Sequence, residues 1–409
     1  MAGRFIAGSV LLAIVVGVGG CAQTSAPSPA SNERIRDAVA RFEHEWTRVA
    51  EGGPELRIQL HARPMAFFRF VNSTWTREVC AALADEIPRL PVARLHGDAH
   101  IEQYAVTADA RGLDDFDDSS RGPAFVDATR FIASLELAVM QRGWQPSLPG
   151  VVDAFFDGYR TALQSPSYMP PDPAIVTRLR AKATMTDADF LAWADAMMEP
   201  MSAGDLRQVE RSWPLVEEFA LTTNPEATPA FLHRKAVGWL DMGIGSALTP
   251  KVLVRIEGPT PAPDDDLILE AKEVGPFVEG SCVSIPRDTE AARAVEGLRQ
   301  IGRLPQRLLL SLPGVVGRRP DGRGWWVKAW DRTYVELGVA DLGSADELRE
   351  VARDVGVQLG SSNLLGPSRA LADEQRRVEL QAMARLEPRV RQVAHDLVVA
   401  LTEAWRRGR

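Results

Sequence analysis

The run Leu95-His96-Gly97-Asp98-Ala99-His100-Ile101-Glu102-Gln103 and, shortly after it, Asp114-Asp115-Phe116-Asp117-Asp118 form the densest polar constellation of the chain. These carboxylates and histidines cannot all be buried without partners, because each isolated charge costs too much to desolvate. They must be solvated, ion-paired or metal-bound. Carboxylate oxygens with little sulfur nearby suit Mg²⁺, Mn²⁺ or Ca²⁺ better than zinc. An acidic surface loop is the plainer alternative, and Leu113 and Phe116, set among the acids as strand-edge residues would be, weigh against it. A second candidate is Gly243-Ile244-Gly245-Ser246, which precedes a segment carrying Lys272. A glycine turn lets backbone N–H groups approach phosphate oxygens, and a lysine on the adjoining strand neutralises them. Taken alone, the same pattern reads as an ordinary turn and a solvated edge lysine.

These residues need elements to hold them. Ile35, Val39, Phe42, Trp46 and Val49 recur at helical spacing and predict an amphipathic opening helix. Residues 63–80 are aromatic-rich and cannot be typed by periodicity. Residues 88–118 alternate short apolar runs with Gly and paired acids, which predicts strands and loops. Helices are expected over 127–140 and 151–164, then a Pro-rich break over 165–172 and a mainly helical stretch over 174–236. Residues 251–256 and 267–272 are strand-like and flank the turn GPTPAPDDD, so a β-hairpin is expected. A helix over 289–310, a strand over 325–330 and helices over 348–359 and 386–401 complete the reading. The fold class is α+β: a small antiparallel sheet unit with a large helical unit. The expected map is 1–20 signal peptide, 21–33 tether, 34–237 mainly helical, 238–340 sheet-bearing and 341–409 C-terminal helices.

The N-terminus carries an address. Arg4 is followed by an apolar run to Val18, and Val18-Gly19-Gly20-Cys21 resembles the lipobox of bacterial lipoproteins, which implies lipidation of Cys21. The apolar run is short for a membrane span, which takes roughly 20 residues. Ala22–Ser31 is a small, Pro/Ser-rich tether. The expected location is therefore outside the cytoplasm, anchored to the cell envelope membrane by lipid. Cys80 and Cys282 are the remaining cysteines, either paired or two buried thiols. A net charge of −8 without any Lys/Arg block argues against nucleic acid as a partner.

RPMAFFRF, LHGDAHIEQYAV, LDDFDDSSRGPAFVDATRFIAS, MGIGSALT and LILEAKEV stand in the order found in the bacterial domain-of-unknown-function family 2252, over most of residues 60–340. Phe70 stands where members of that family usually have glycine. More distantly, HGDAHIEQ resembles the catalytic loop of aminoglycoside-phosphotransferase-like kinases, and DDFDD resembles their metal-binding step. That resemblance implies Asp98 as the catalytic base, flanked by His96 and His100. It implies Gln103, Asp115 and Asp117 as ligands of Mg²⁺. Gly243, Gly245 and Ser246 would cover phosphates of ATP or another phosphorylated ligand, and Lys272 would pair with them, oriented by Glu290 or Glu296. In such kinases the Gly loop and lysine precede the catalytic loop; here they follow it, which implies a circularly permuted, kinase-like arrangement.

The resulting expectation is an envelope lipoprotein with a metal-dependent phosphotransferase-type site. The alternative is a non-catalytic lipoprotein that binds a small molecule or protein partner on a degenerate kinase-like scaffold. A metallophosphatase lacks its downstream Asn-His and His-x-His partners, since His233 and His395 are isolated. A Ser-His-Asp hydrolase lacks a Gly-x-Ser-x-Gly elbow.

Overall fold

The computed structural model describes residues 29–225, 227–240, 249–275, 282–285, 290–312, 324–362 and 369–408. The opening apolar stripe forms helix α1 (Pro29–Val49), followed by α2 (Gly53–Ala62). The aromatic segment that periodicity could not type forms α3 (Pro64–Phe70) and α4 (Asn72–Ala82), both with buried aromatic side chains. Short strands carry the polar constellation: β1 (Ala93–Leu95), β2 (Tyr104–Val106), β3 (Arg111–Leu113) and β4 (Ser120–Gly122). Helices α5 (Phe125–Arg142), α6 (Leu148–Gln164), α7 (Ala174–Arg180), α8 (Asp187–Ala196) and α9 (Ala203–Thr223) follow. α9 opens on a capping box, in which the Ser202 hydroxyl and the Asp205 carboxylate each satisfy the other's backbone N–H.

The sheet unit contains β5 (Arg234–Trp239), β6 (Lys251–Ile256), β7 (Leu267–Glu273), helix α10 (Glu290–Ile301), β8 (Leu310–Leu312) and β9 (Trp325–Ala329). Its order is β5-β6-β7-β9-β8, antiparallel throughout. Strand β10 (Val335–Glu336) then joins β2 and β3, and β1 pairs with β4. The chain closes with α11 (Ala345–Ser362) and α12 (Arg369–Arg407).

Period-two alternation gives the five-stranded sheet two faces. Val252, Val254, Leu269, Trp325 and Val327 pack one face against Val209 and Val216 of α9. On the other face Leu253 and Ile268 meet Phe190, Leu191 and Ala194 of α8. Beyond that small apolar contact the second face turns polar, and it carries Lys251, Glu270, Lys272 and Lys328. A larger core joins the helices before and after the sheet unit: Phe42, Trp75, Phe131, Phe155, Val355 and Leu397 belong to one cluster. The two expected helical regions thus share one interior.

The α+β class stands, and several boundaries move. α1 begins at Pro29, inside the expected tether, and Ser31 and Arg34 donate to Asp396 of α12 at 2.7 and 2.6 Å. The sheet begins at Arg234, before the expected boundary at 238. The helix expected over 289–310 ends at Ile301, and Leu310 starts a strand. Gly302 and Pro305 explain the stop, because neither continues a helix cheaply. Cys80 and Cys282, left open above, form a disulfide. Among the described residues no helix is long and apolar enough to cross a membrane; the expected signal peptide and Cys21 lie outside them.

Candidate functional site

The two acidic motifs meet through their backbones. Gly97 has φ +87°, and a Cβ there would lie 1.8 Å from the Asp118 carbonyl oxygen, so only glycine lets the loops touch. Buried Asn72 of α4 bridges the same contact, donating to the Gly97 carbonyl at 2.9 Å and to Asp118 at 2.8 Å. Asp127, in the first turn of α5, accepts the His96 and Gly97 backbone N–H groups at 2.7 and 2.9 Å. The His96 ring meets the Asp114 carbonyl through Nε2 at 2.9 Å and packs on Phe116. These two contacts fix the His96 ring within the loop.

Asp98 sits at the tip of this loop. Its Oδ1 accepts two bonds from the buried Arg130 guanidinium, at 2.9 and 2.7 Å, and Oδ2 faces His100 Nε2 at 3.5 Å. Burial opposes the charged form, yet Arg130 and then His100 hold the Asp98 carboxyl well below the usual carboxylate range. Burial also pushes His100 down, against the pull of Asp98. Arg130 is itself fixed by the Phe68 carbonyl and by its stack on the Phe68 ring, 3.6 Å from the centroid.

The second motif faces the sheet unit. Asp115 takes φ +61°, the left-handed region that Asp tolerates better than most residues. Lys272 of β7 donates to Asp115 at 3.0 Å and also pairs closely with Asp117. Trp326 of β9 donates its indole N–H to Asp117 at 2.7 Å, and Gln103 donates to Asp115 at 3.3 Å. Burial works against Asp115, but Lys272, aided by Lys251 and Lys328, holds its carboxyl far below the usual range. Burial moves Asp117 upward, Lys272 opposes, and the adjacent Asp115 charge adds to the rise. Asp114 pairs with Lys328 at 2.8 Å. Arg293 of α10 ties the assembly together by donating to the carbonyls of Asp117 and Gly275 at 2.8 and 3.0 Å.

A cleft of about 390 Å³ opens beside these pairs. One end is charged, with Asp114, Asp115, Lys251, Glu270, Lys272 and Lys328. The other is aromatic, with Phe190, Trp193 and Trp330, and also carries Lys182 and Arg332, the latter donating to the Met185 carbonyl at 2.6 Å; the Trp193 and Trp330 rings lie 5.5 Å apart. A ligand with a flat apolar part and an anionic tail matches this polarity.

The structure thus brings Asp98, His96, His100, Gln103, Asp115, Asp117 and Lys272 into one neighbourhood. Gly243, Gly245 and Ser246 lie outside the described residues. One expectation is corrected: Glu296 does not orient Lys272 but pairs with Arg94, which is fully buried, and lies 3.8 Å from Arg121. An uncompensated buried guanidinium costs more than a lysine already held by two aspartates, so the glutamate goes to the arginine. The side chain of Glu290 lies outside the described residues. Among those residues no group of three or more His, Cys, Asp or Glu is placed to hold a metal. Asp115 and Asp117 instead converge on the Lys272 ammonium. Two carboxylates and an amide nevertheless fit Mg²⁺, which characteristically takes one or two protein carboxylates and completes its shell with water and substrate phosphates. His233 and His395 are surface residues, facing Glu257 at 3.8 Å and Glu136 at 2.8 Å.

Asn72, Asp127, Arg130, Lys251 and Lys328 were missed by sequence reasoning. Asp127 and Arg130 had a legible signal, since an i, i+3 acid–base pair in the first turns of a helix shares one face. Asn72 had none. Residues 54–217 match the model of a family described as an uncharacterized protein conserved in bacteria (DUF2252). The match covers both acidic motifs, α5 and most of α9, and ends before the sheet unit with Lys272. No curated protein and no solved structure matches the chain.

Proposed function

We propose that this protein is an envelope lipoprotein with a kinase-like, metal-dependent phosphotransferase site in circularly permuted order. The observation that carries the reading is the meeting of Lys272 with Asp115 and Asp117, distant in sequence, at the charged end of a cleft whose other end is aromatic. In chain order Lys272 lies on the third strand of the sheet unit and a helix follows that strand, as the phosphate-pairing lysine does in kinases. Asp115 and Asp117, with Gln103, would hold Mg²⁺. When bound, the metal would neutralise charge on the phosphoryl group being transferred. Lys272 would then exchange part of its pairing with the aspartates for phosphate oxygens. The packed Trp193 and Trp330 rings offer an aromatic surface on which a nucleobase could stack. Asp98, ionised by Arg130, suits orientation of an acceptor hydroxyl through Oδ2 better than storage of its proton.

Export is part of the proposal. The lipobox-like Val18-Gly19-Gly20-Cys21 supports it, and so does the Cys80–Cys282 disulfide, a bond that persists in oxidising compartments. The second reading, a non-catalytic binding lipoprotein, is favoured by Glu296, which pairs with Arg94 rather than with Lys272.

The test is a thermal-shift titration of residues 29–409 with Mg-ATP, Mg-GTP, Mg²⁺ alone and Mn²⁺ alone, with Asp115→Ala as control. A ligand at about 100 times its Kd adds about 2.7 kcal/mol of stability. A Mg-nucleotide shift lost in Asp115→Ala is expected. No nucleotide shift, or one that survives in Asp115→Ala, would leave the binding-protein reading in its place.

A further inference from the structure

The aromatic segment around α3 carries Arg63 and Arg69, and the chemistry proposed above uses neither. Arg63 has a structural partner: it grips Glu102 through two guanidinium nitrogens, one of them at 3.0 Å. Arg69 reaches the same carboxylate only at 3.5 Å. Its side chain is 19% exposed, and among the described residues its guanidinium donates no hydrogen bond. A guanidinium so largely withdrawn from water normally bonds a carboxylate or a phosphate. Its place in the fold gives this one a use. Phe68, its neighbour in α3, holds Arg130 through the backbone carbonyl at 2.9 Å, and Arg130 holds Asp98. The His100 ring stands edge-on to the Phe68 ring, with centroids 6.4 Å apart. Burial pushes the His100 ring down against the pull of Asp98, and the Arg69 charge adds to that push. Glu336 of β10 is the counterpart on the cleft side, paired in register with Ala105 and lining the cleft. It accepts the Tyr334 hydroxyl at 3.1 Å, and among the described residues no cation forms an ion pair with it. Burial moves its carboxyl upward, and Arg69 is the charge that most opposes the rise. The two opposite charges thus feel one another and yet form no ion pair.

We propose that Arg69 and Glu336 together bind a zwitterionic, amino-acid-like ligand, its carboxylate on Arg69 and its ammonium on Glu336. A hydroxyl on the same molecule would then face Asp98. The inference rests on the reading of Asp98 as the group that orients an acceptor hydroxyl, and it adds the acceptor's chemical class. A purely anionic acceptor would meet the Glu336 carboxylate, and a purely cationic one the Arg69 guanidinium. A zwitterion answers both charges at once. Arg63 stays with Glu102 in this account and touches no ligand.

The test measures binding of serine, glycerate and ethanolamine by calorimetry, with and without Mg-ADP. The three probes share a hydroxyl and carry both charges, the carboxylate alone and the ammonium alone. Each is titrated into wild type, Arg69→Gln, Arg69→Lys and Glu336→Gln. Serine should bind wild type most tightly, and loss of one charge-assisted contact predicts about tenfold weaker serine binding to either Gln variant. Glycerate should weaken only in Arg69→Gln, and ethanolamine only in Glu336→Gln. Arg69→Lys should keep part of the carboxylate affinity, since it keeps the charge without the planar fork. Serine binding no tighter than that of the other two probes, or unchanged in both Gln variants, would overturn the inference. A lowered apo melting temperature in Arg69→Gln, with all three probes weakened alike, would overturn it in favour of a structural arginine. Binding of no probe, while Mg-ATP still raises the melting temperature, would overturn it and leave the phosphotransferase reading intact. Serine binding lost in both Gln variants, without any Mg-ATP shift, would uphold the zwitterion site and remove the nucleotide. Binding of neither would overturn both.

Discussion

Asp98 and Gly97 show how one short motif divides its duties. Asp98 presents a carboxylate, and Arg130, 1% exposed, depends on that carboxylate for charge compensation. Asp98→Asn should therefore abolish turnover and also lower stability by about 3 kcal/mol, because it leaves a buried guanidinium without its anion. Parallel activity and urea-unfolding measurements check this; full turnover in the variant would remove Asp98 from the acceptor role. Gly97 contributes no functional group, only the absence of a Cβ. Gly97→Ala combines a left-handed φ with a clash against the Asp118 carbonyl, so we expect a loss of about 3 kcal/mol. The same variant should lose any Mg-nucleotide thermal shift, since the two acidic loops separate. Stability within experimental error of wild type would contradict the loop contact.

At the scale of elements, α12 carries a titrating group unrelated to the cleft. Glu379 is fully buried, and its nearest polar partner is the Tyr159 hydroxyl at 3.4 Å. Burial pushes its carboxyl up to about 7, and the Tyr159 bond only partly offsets that. The folded state then holds this proton more tightly than the unfolded state does. Stability from this group is fully present below the ordinary glutamate pKa and is lost as pH rises towards 7. The loss integrates to about 3 kcal/mol. Glu379→Gln should raise the melting temperature at pH 8 and change it little at pH 4. An equal effect at both pH values would show that Glu379 titrates normally. The sheet's elements follow the same economy: WWVKAW alternates so that Trp325 and Val327 meet α9 while Trp326 and Lys328 face the acids.

Across the whole molecule, the disulfide links α4 to the segment between β7 and α10, closing a sequence separation of 202 residues. The Arg121 and Ser284 backbones pair beside it at 2.8 and 2.9 Å, which holds the lysine strand's exit against β4. Replacing both cysteines by serine should cost about 2–5 kcal/mol. Adding dithiothreitol to wild type should lower its melting temperature to that of the variant. A wild-type melting temperature indifferent to reductant would show that the pair is not oxidised in solution. Since Lys272 precedes the bridged segment, the variant should also bind Mg-nucleotide more weakly.

The sequence by itself determined the α+β class, the alternation that makes the sheet two-faced, and the two acidic motifs with Lys272 as the chemistry of interest. Those properties are local: they depend on residue type and on periods of 2 and 3.6 residues. Only the tertiary structure decided which charges meet. Lys272 reaches Asp115 across 157 positions, Asp98 finds Arg130, and Glu296 is claimed by Arg94 instead of Lys272. Ion pairing is settled by burial and proximity in space, and neither is written in spacing along the chain. The opposition of Lys251 and Lys272 belongs to both levels, since the hairpin was legible but its register was set by which face of each strand the two helices α8 and α9 bury.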